Sequence, residues 1–299
     1  MSHSPDTTRW LSALPDDLPI SEINIPGSHN AAAINTVRRT RWTCQDQTIT
    51  DQLESGIRLL DIRLKPKRRR NTYYFITCHG HLGRFGANEF QSLRSALEEC
   101  TTFLKTNPGE TIIITLQIDD YREVRSKNDP QILQTLEAYL NDLPKTHPPH
   151  IPRLSECRGK VFLINRINDN PALGVPLNIP DNTPGTILTA TKDRQYEVYV
   201  QDQYKNLPTG GHRETHKLNL VTKAFQHKRP GNILLNFASG TKPFGRLLDI
   251  HKGLAEHLAA LRHHAPYHHA PPRAPLGWLL LDYPANLPSQ IIASNFKPK

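Results

Sequence analysis

The chain has 299 residues, 37% of them apolar and 22% charged, a composition that supports a large core and excludes wholesale disorder. Its 37 Lys and Arg against 28 Asp and Glu give a net charge of +9, which predicts attraction to polyanions, either nucleic acid or an anionic membrane surface. No run of about 18 to 20 apolar residues is present for a membrane span, the start MSHSPDTTRW lacks the apolar stretch of a secretory signal, and four cysteines without a CxxC spacing read as reduced thiols. A reducing compartment fits best, with the cytoplasm and export without a cleaved signal both open, and attachment to membranes would be peripheral.

In chain order, short β-rich runs fall at residues 20–25, 57–64, 73–78, 111–116, 160–164, 198–200, 232–237 and 277–281, which makes about eight strands. Helical patterns lie between several of them. The clearest covers 88–105, where Phe90, Leu93, Leu97, Cys100 and Leu104 form a stripe and Asn88 with Gln91 supplies a capping box. Others cover 130–143, 215–226 and 246–263, and the Pro-rich stretch 141–152 reads as a connecting loop. Alternating strands and helices with apolar strands such as TIIITL predict a mostly parallel sheet buried on both faces. The fold class is α/β, a TIM-like (β/α) barrel forming a single domain over 1–299, with a doubly wound open sheet as the alternative.

Active sites of such barrels lie at the C-terminal ends of the strands. Here those ends are polar: His29 and Asn30 after the first strand, Asp61 and Arg63 at the second, His79 at the third, then Gln117, Arg166, Asp202 with Tyr204, Asn236, and finally Asp282 with Tyr283. Each alone has a bland reading, since a single histidine is ordinarily a satisfied core residue and Asp61 can simply hold Arg63 by a salt bridge. Their coincidence at one face points to a site. Two imidazoles, a guanidinium and a carboxylate are the set needed to break a phosphodiester without a metal. One imidazole takes the nucleophile's proton, the other protonates the leaving oxygen, the guanidinium neutralises the phosphoryl oxygens and the carboxylate orients the base.

Two basic clusters follow strands: Arg38, Arg39 and Arg41 with Trp42, and Lys65, Lys67, Arg68, Arg69 and Arg70. Solvated basic loops are one reading, an anionic membrane surface the other, and Trp42 favours the membrane because indole rings settle at the headgroup level. Neither cluster carries zinc-finger or RNP-like spacing, so no nucleic-acid partner is expected. The histidine-rich stretch 263–269 reads as an exposed Pro-rich loop rather than a metal site.

The motifs Ile25-Pro26-Gly27-Ser28-His29-Asn30, Gly56-Ile57-Arg58-Leu59-Leu60-Asp61-Ile62-Arg63, Cys78-His79-Gly80 and Asn107-Pro108-Gly109-Glu110-Thr111 resemble the X-type catalytic domain of bacterial phosphatidylinositol-specific phospholipases C. Arg158-Gly159-Lys160, Val200-Gln201-Asp202-Gln203-Tyr204 and Gly277-Trp278-Leu279-Leu280-Leu281-Asp282-Tyr283 extend the resemblance along nearly the whole chain. It implies a distorted barrel and cleavage of phosphatidylinositol, or a related inositol lipid, to diacylglycerol and inositol 1,2-cyclic phosphate. By resemblance, His29 is the general base, Asp282 its orienting carboxylate, His79 the general acid and Arg63 the phosphate ligand. Arg166, Asp202 and Tyr204 would hold the inositol ring. Two positions depart from the bacterial pattern: Asn30 stands where an Asp follows the first His, and Gln117 replaces a Lys. Asn30 is the residue of the calcium-dependent relatives, but Arg63 and Gln117 stand where those carry acidic ligands, so no metal or other cofactor is expected. A calcium-assisted variant and a weakly active or inactive lipid-binding barrel are the alternatives.

Overall fold

The computed structural model describes residues 6–37, 42–80, 87–124, 126–189, 197–208, 212–241, 248–263 and 276–296. Among them twelve strands form one sheet: β1 (Ile25–Ser28), β2 (Leu59–Arg69), β3 (Thr72–His79), β4 (Asn88–Ser92), β5 (Ile112–Ile118), β6 (Lys145–Thr146), β7 (Val161–Asn165), β8 (Val175–Pro176), β9 (Thr186–Thr189), β10 (Glu197–Gln201), β11 (Asn232–Phe237) and β12 (Trp278–Leu281). The path β7-β5-β2-β1-β12-β11-β10 is parallel at every step, as expected of apolar strands covered on both faces. Short strands flank it, β6 and β8 against β7 and β9 antiparallel to β10. Among the described residues no pairing joins β9 to β6 or β8, so this TIM-like barrel has an open seam.

Strand parity separates inside from outside. Ile25, Leu59, Ile113, Phe162, Ile164, Val198, Val200, Ile233, Leu235, Phe237, Trp278 and Leu280 share one interior cluster. Their neighbours of opposite parity, such as Leu60, Ile114 and Leu163, pack outward against α1 (Ile49–Glu54), α2 (Leu93–Thr106) and α3 (Pro130–Asn141). Leu234, Leu279 and Leu281 likewise pack under α5 (Arg213–Ala224), α6 (His251–His263) and α7 (Leu287–Ala293), while the short α4 (Leu154–Cys157) adds Leu154 and Cys157 to the interior. Continuing the inward parity past the apolar layer leads to Asp61 and Arg63 on β2, Thr115 and Gln117 on β5, and then Arg166, Asp202, Asp282 and His29 beyond the ends of their strands. Most of the polar ring expected from strand ends thus shares this inward parity, but Asn236 faces outward, bonded to Gln201 and to the Val221 carbonyl on α5.

The opposite end is closed by Trp10, Leu11, Leu14, Ile20 and Ile23. They are fastened there by the fully buried ion pair of Arg58 and Glu110, 2.8 Å apart. Arg58 also donates to the carbonyls of Leu53, Ile57, Thr7 and Thr8, and Glu110 accepts from the backbone of Leu11 and from Ser12.

Four sequence expectations need correction. Ile20–Glu22 is a 3₁₀ turn and the strand begins only at Ile25. The helix predicted from 88 begins at Leu93, with the Ser92 side chain capping it through the Ser95 N–H, because Asn88–Ser92 pairs with β3 as a strand. The strand through Arg63 does not end there but runs to Arg69, so Lys65 to Arg69 belong to an antiparallel hairpin with β3 rather than to a loop. The stretch 141–152 contains β6.

Candidate active site

His29 leaves β1 with its backbone N–H bonded to the Leu281 carbonyl, and the Gln45 side chain donates to both the His29 and Leu281 carbonyls. Its Nδ1 lies 2.8 Å from Oδ1 of Asp282, and its Nε2 lies 3.1 Å from Nη2 of Arg63 and 3.0 Å from Nδ2 of Asn30. A guanidinium can only donate, so Nε2 is the accepting nitrogen and the ring proton faces Asp282. This is the tautomer of a general base held ready by a carboxylate. Asn30 sits at φ 45, a left-handed conformation that Asn tolerates better than most residues, and its backbone N–H donates to Asp61.

Asp61, which composition and spacing left as a mere partner of Arg63, is the hub of the layer. Its oxygens accept from Nε of Arg63 (3.1 Å), Nη1 of Arg166 (3.0 Å), Oγ1 of Thr115 (2.9 Å) and the Asn30 N–H (3.2 Å). Burial alone would raise its pKa, but Arg63 and Arg166 hold it far below the usual carboxylate range. Arg63 spends its remaining arm on Asp119 at 3.2 Å, a residue the sequence reading missed although it shares the inward parity of Gln117. Arg63 and Arg166 are thereby fixed side by side on Asp61.

His79 reaches the same mouth by a different route. The hairpin carries the chain outward along β2 and back along β3, and Nδ1 of His79 then donates to the Trp42 carbonyl at 2.9 Å. That carbonyl is held by the Tyr283 N–H bonded to Cys44 and the Tyr283 hydroxyl bonded to Thr43. Nε2 of His79, 3.9 Å from the Cys44 Sγ, is the nitrogen turned away from the Trp42 carbonyl. The two imidazoles lie edge to face with centroids 6.1 Å apart. Burial, reinforced by His29, lowers the His79 pKa to about 4. The empty site therefore favours the neutral ring, and a neighbouring anion would favour the protonated one.

Asp202 is buried and, among the described residues, its carboxylate accepts no hydrogen bond; burial raises its pKa, with Arg166 and Arg63 opposing. Tyr204 stands at the rim, its hydroxyl donating to Asp181 at 2.6 Å and its N–H to Asn182 at 2.9 Å. Gln117 lies beside Arg63 in register, its Oε1 buried and without a hydrogen-bond partner among the described residues. The structure thus brings His29, Asn30, Arg63, His79, Gln117, Arg166, Asp202, Tyr204 and Asp282 to one end of the sheet.

The sequence matches the family "Phosphatidylinositol-specific phospholipase C, X domain" over residues 17–167. It is 30% identical over 254 residues to a 1-phosphatidylinositol phosphodiesterase of Listeria monocytogenes, covering 81% of this chain and 71% of the relative. The chain belongs to the phosphatidylinositol-specific phospholipase C X-domain family. A Staphylococcus aureus 1-phosphatidylinositol phosphodiesterase is 25% identical over 99% of this chain and 96% of its own length. In three dimensions, a phosphatidylinositol-specific phospholipase C from S. aureus superposes with a TM-score of 0.78 at 22% identity, covering 99% of this chain and all (100%) of that one. The L. monocytogenes enzyme gives 0.67 at 24% identity, covering 98% and 100%. These are fold matches, and they carry the barrel assignment.

Within this X domain two cation sites merit a test of fit. His29, Cys44 and Asp282 place ligand atoms within 4.8 Å of one another. Burial, followed by Asp282, pushes the Cys44 thiol well up, the proton on His29 faces Asp282, and Arg63 stands beside the ring, so the trio does not fit a cation. The surroundings of Asp61 do not fit a cation either, because its carboxylate oxygens already accept from the Arg63 and Arg166 guanidiniums.

The basic clusters divide. Arg38, Arg39 and Arg41 lie outside the described residues, as does most of the histidine-rich stretch. Trp42 is half-buried, so close to Gly80 that a Cβ there would fall 2.8 Å from its ring. Lys67 is neutralised by Glu89 at 2.8 Å and Glu123 at 3.1 Å, with Lys65 in the same network. Arg68, Arg69 and Arg70 are exposed at the hairpin tip, Arg68 bonded to the Arg70 carbonyl. No described helix is long and apolar enough to cross a membrane.

Proposed function

We propose that residues 1–299 form one catalytic barrel that cleaves phosphatidylinositol, or a related inositol lipid, to diacylglycerol and inositol 1,2-cyclic phosphate without a metal. The observation that carries this reading is the pairing of a carboxylate-oriented imidazole, His29, with Arg63 at its Nε2 and a second imidazole, His79, across the mouth. His29 takes the proton of the inositol 2-hydroxyl as that oxygen attacks phosphorus. Arg63 stabilises the charge on the phosphoryl oxygens, and His79, protonated when the phosphodiester anion arrives, gives its proton to the departing diacylglycerol oxygen. Arg166, Asp202, Tyr204 and Gln117 line the space for the ring and its hydroxyls. The names of the relatives support the substrate class, and the donor set supports metal independence.

Chelation tests the second half of the reading. The rate of phosphatidylinositol cleavage is expected to be the same with and without EDTA; activity that EDTA abolishes and Ca²⁺ restores would overturn it.

The partner is an anionic membrane surface met peripherally by the barrel mouth, with no nucleic acid. Near such a surface each exposed cation contributes about 1 kcal/mol. Replacing Arg68, Arg69 and Arg70 together by Gln is expected to weaken vesicle binding at low salt and little at high salt, whereas Lys67→Gln, already paired with two carboxylates, has a smaller effect. Sedimentation with anionic vesicles at two ionic strengths measures both. Binding unchanged by the triple variant would return the hairpin tip to a solvated basic turn.

A further inference from the structure

Lys217 is fully buried on α5, in the stripe Lys217, Val221 and Ala224 that the helix turns inward. An apolar side chain is the ordinary occupant of such a position, because an ammonium there loses its hydration. Lys217 instead donates to the Gln203 carbonyl at 2.7 Å and to Oε1 of Gln201 at 3.1 Å. Gln201 is itself tied to β11, its Nε2 donating to Asn236 Oδ1 (2.8 Å) and the Phe237 carbonyl (3.0 Å). Nδ2 of Asn236 returns to the Val221 carbonyl on α5 at 2.9 Å, and the Gln203 N–H closes the turn onto Gln201 Oε1, also at 2.9 Å. Every side-chain member of this network is 0% exposed. The residue bracketed by its anchors is Asp202, and Tyr204 follows.

We propose that Lys217 is a positioning residue, whose buried ammonium holds the Gln201–Gln203 turn in the conformation that presents Asp202 and Tyr204 to a polyhydroxylated headgroup. The inference rests on the reading of Asp202 and Tyr204 as headgroup-binding residues. The charges that reach Lys217 are the Asp202 and Asp282 carboxylates at the ends of β10 and β12, neither in ion-pair contact with it. Burial pulls its pKa down to about 7 against their opposing pull. Its charge is therefore present below neutral pH and lost above it, and headgroup affinity follows.

The test is steady-state kinetics on a water-soluble, monomeric nitrophenyl ester of inositol 1-phosphate, with wild type, Lys217→Met and Asp202→Asn in parallel. At neutral pH Lys217→Met is expected to raise KM about 10-fold while kcat changes less than about 3-fold. Wild-type KM should climb above pH ~7 and that of Lys217→Met should stay flat. Unchanged KM in Lys217→Met alongside a raised KM in Asp202→Asn overturns the role of Lys217 alone. Unchanged KM in both overturns the headgroup reading and this inference with it. Should Lys217→Met fail to fold, the wild-type profile decides, since a KM flat across neutral pH contradicts a titrating anchor.

Discussion

His29→Ala and His79→Ala are each expected to lose about 10²- to 10⁴-fold in rate on phosphatidylinositol while keeping the wild-type circular dichroism spectrum. The two losses differ in kind. His29 is held by Asp282 and faces Arg63 through an unprotonated Nε2, so its removal takes away the acceptor for the nucleophile's proton, and no change of leaving group restores it. His79 acts on the leaving oxygen. A substrate with a nitrophenolate leaving group needs less protonation and should recover part of the His79→Ala loss. His79 is also the group whose protonated form a bound anion would favour, since burial lowers its pKa to about 4 in the empty site. Binding of a phosphodiester anion to wild type near pH 6 is accordingly accompanied by proton uptake, read as a dependence of calorimetric enthalpy on buffer ionisation, and His79→Ala abolishes it. Near-normal turnover by either variant would remove the acid/base assignment.

The largest effect on stability is expected far from the mouth. Glu110→Ala leaves Arg58, fully buried, with an uncompensated charge and frees the backbone of Leu11 and the Ser12 side chain that hold the N-terminal segment over the barrel floor. Breaking one half of a buried pair typically costs about 3 to 5 kcal/mol, a large share of the roughly 5 to 15 kcal/mol that keeps a domain folded. Burial already disfavours the Arg58 charge, with Glu110 opposing. The double variant Arg58→Met, Glu110→Leu, which buries no charge, should recover much of the loss. Urea unfolding of the three proteins measures this; a midpoint for Glu110→Ala within error of wild type would show that the pair is not what fastens the floor.

Much of this arrangement is legible in the sequence because it follows from strand parity. Once Leu59, Ile113, Ile164, Val200 and Leu280 are taken as inward, Asp61 and Gln117 on their strands and Arg166, Asp202 and Asp282 just past theirs follow on the same face. The hairpin was not legible, since Lys65 to Arg70 has the composition of a solvated turn. Its strand character comes from Pro66 and Phe75 facing one another across the ladder and from carboxylates that neutralise Lys65 and Lys67. Asp119 was missed because its value depends on the third arm of Arg63, 56 residues earlier. Trp42, expected at a membrane, also contributes its carbonyl to His79, a role that no side-chain pattern encodes. Lys217 did leave a trace, a cation inside the apolar stripe of a predicted helix, but its partners Gln201 and Gln203 lie across a loop and come together only in the fold.

The central claim is in-line attack by the substrate's own 2-hydroxyl, assisted by His29 and His79. Phosphorus NMR of phosphatidylinositol in mixed micelles, recorded from the first turnover in the presence of EDTA, tests it most directly. The account predicts inositol 1,2-cyclic phosphate as the first water-soluble product, absent with His29→Ala. Inositol 1-phosphate appearing first with no cyclic precursor, or cyclic product formed at the wild-type rate by His29→Ala, would contradict it.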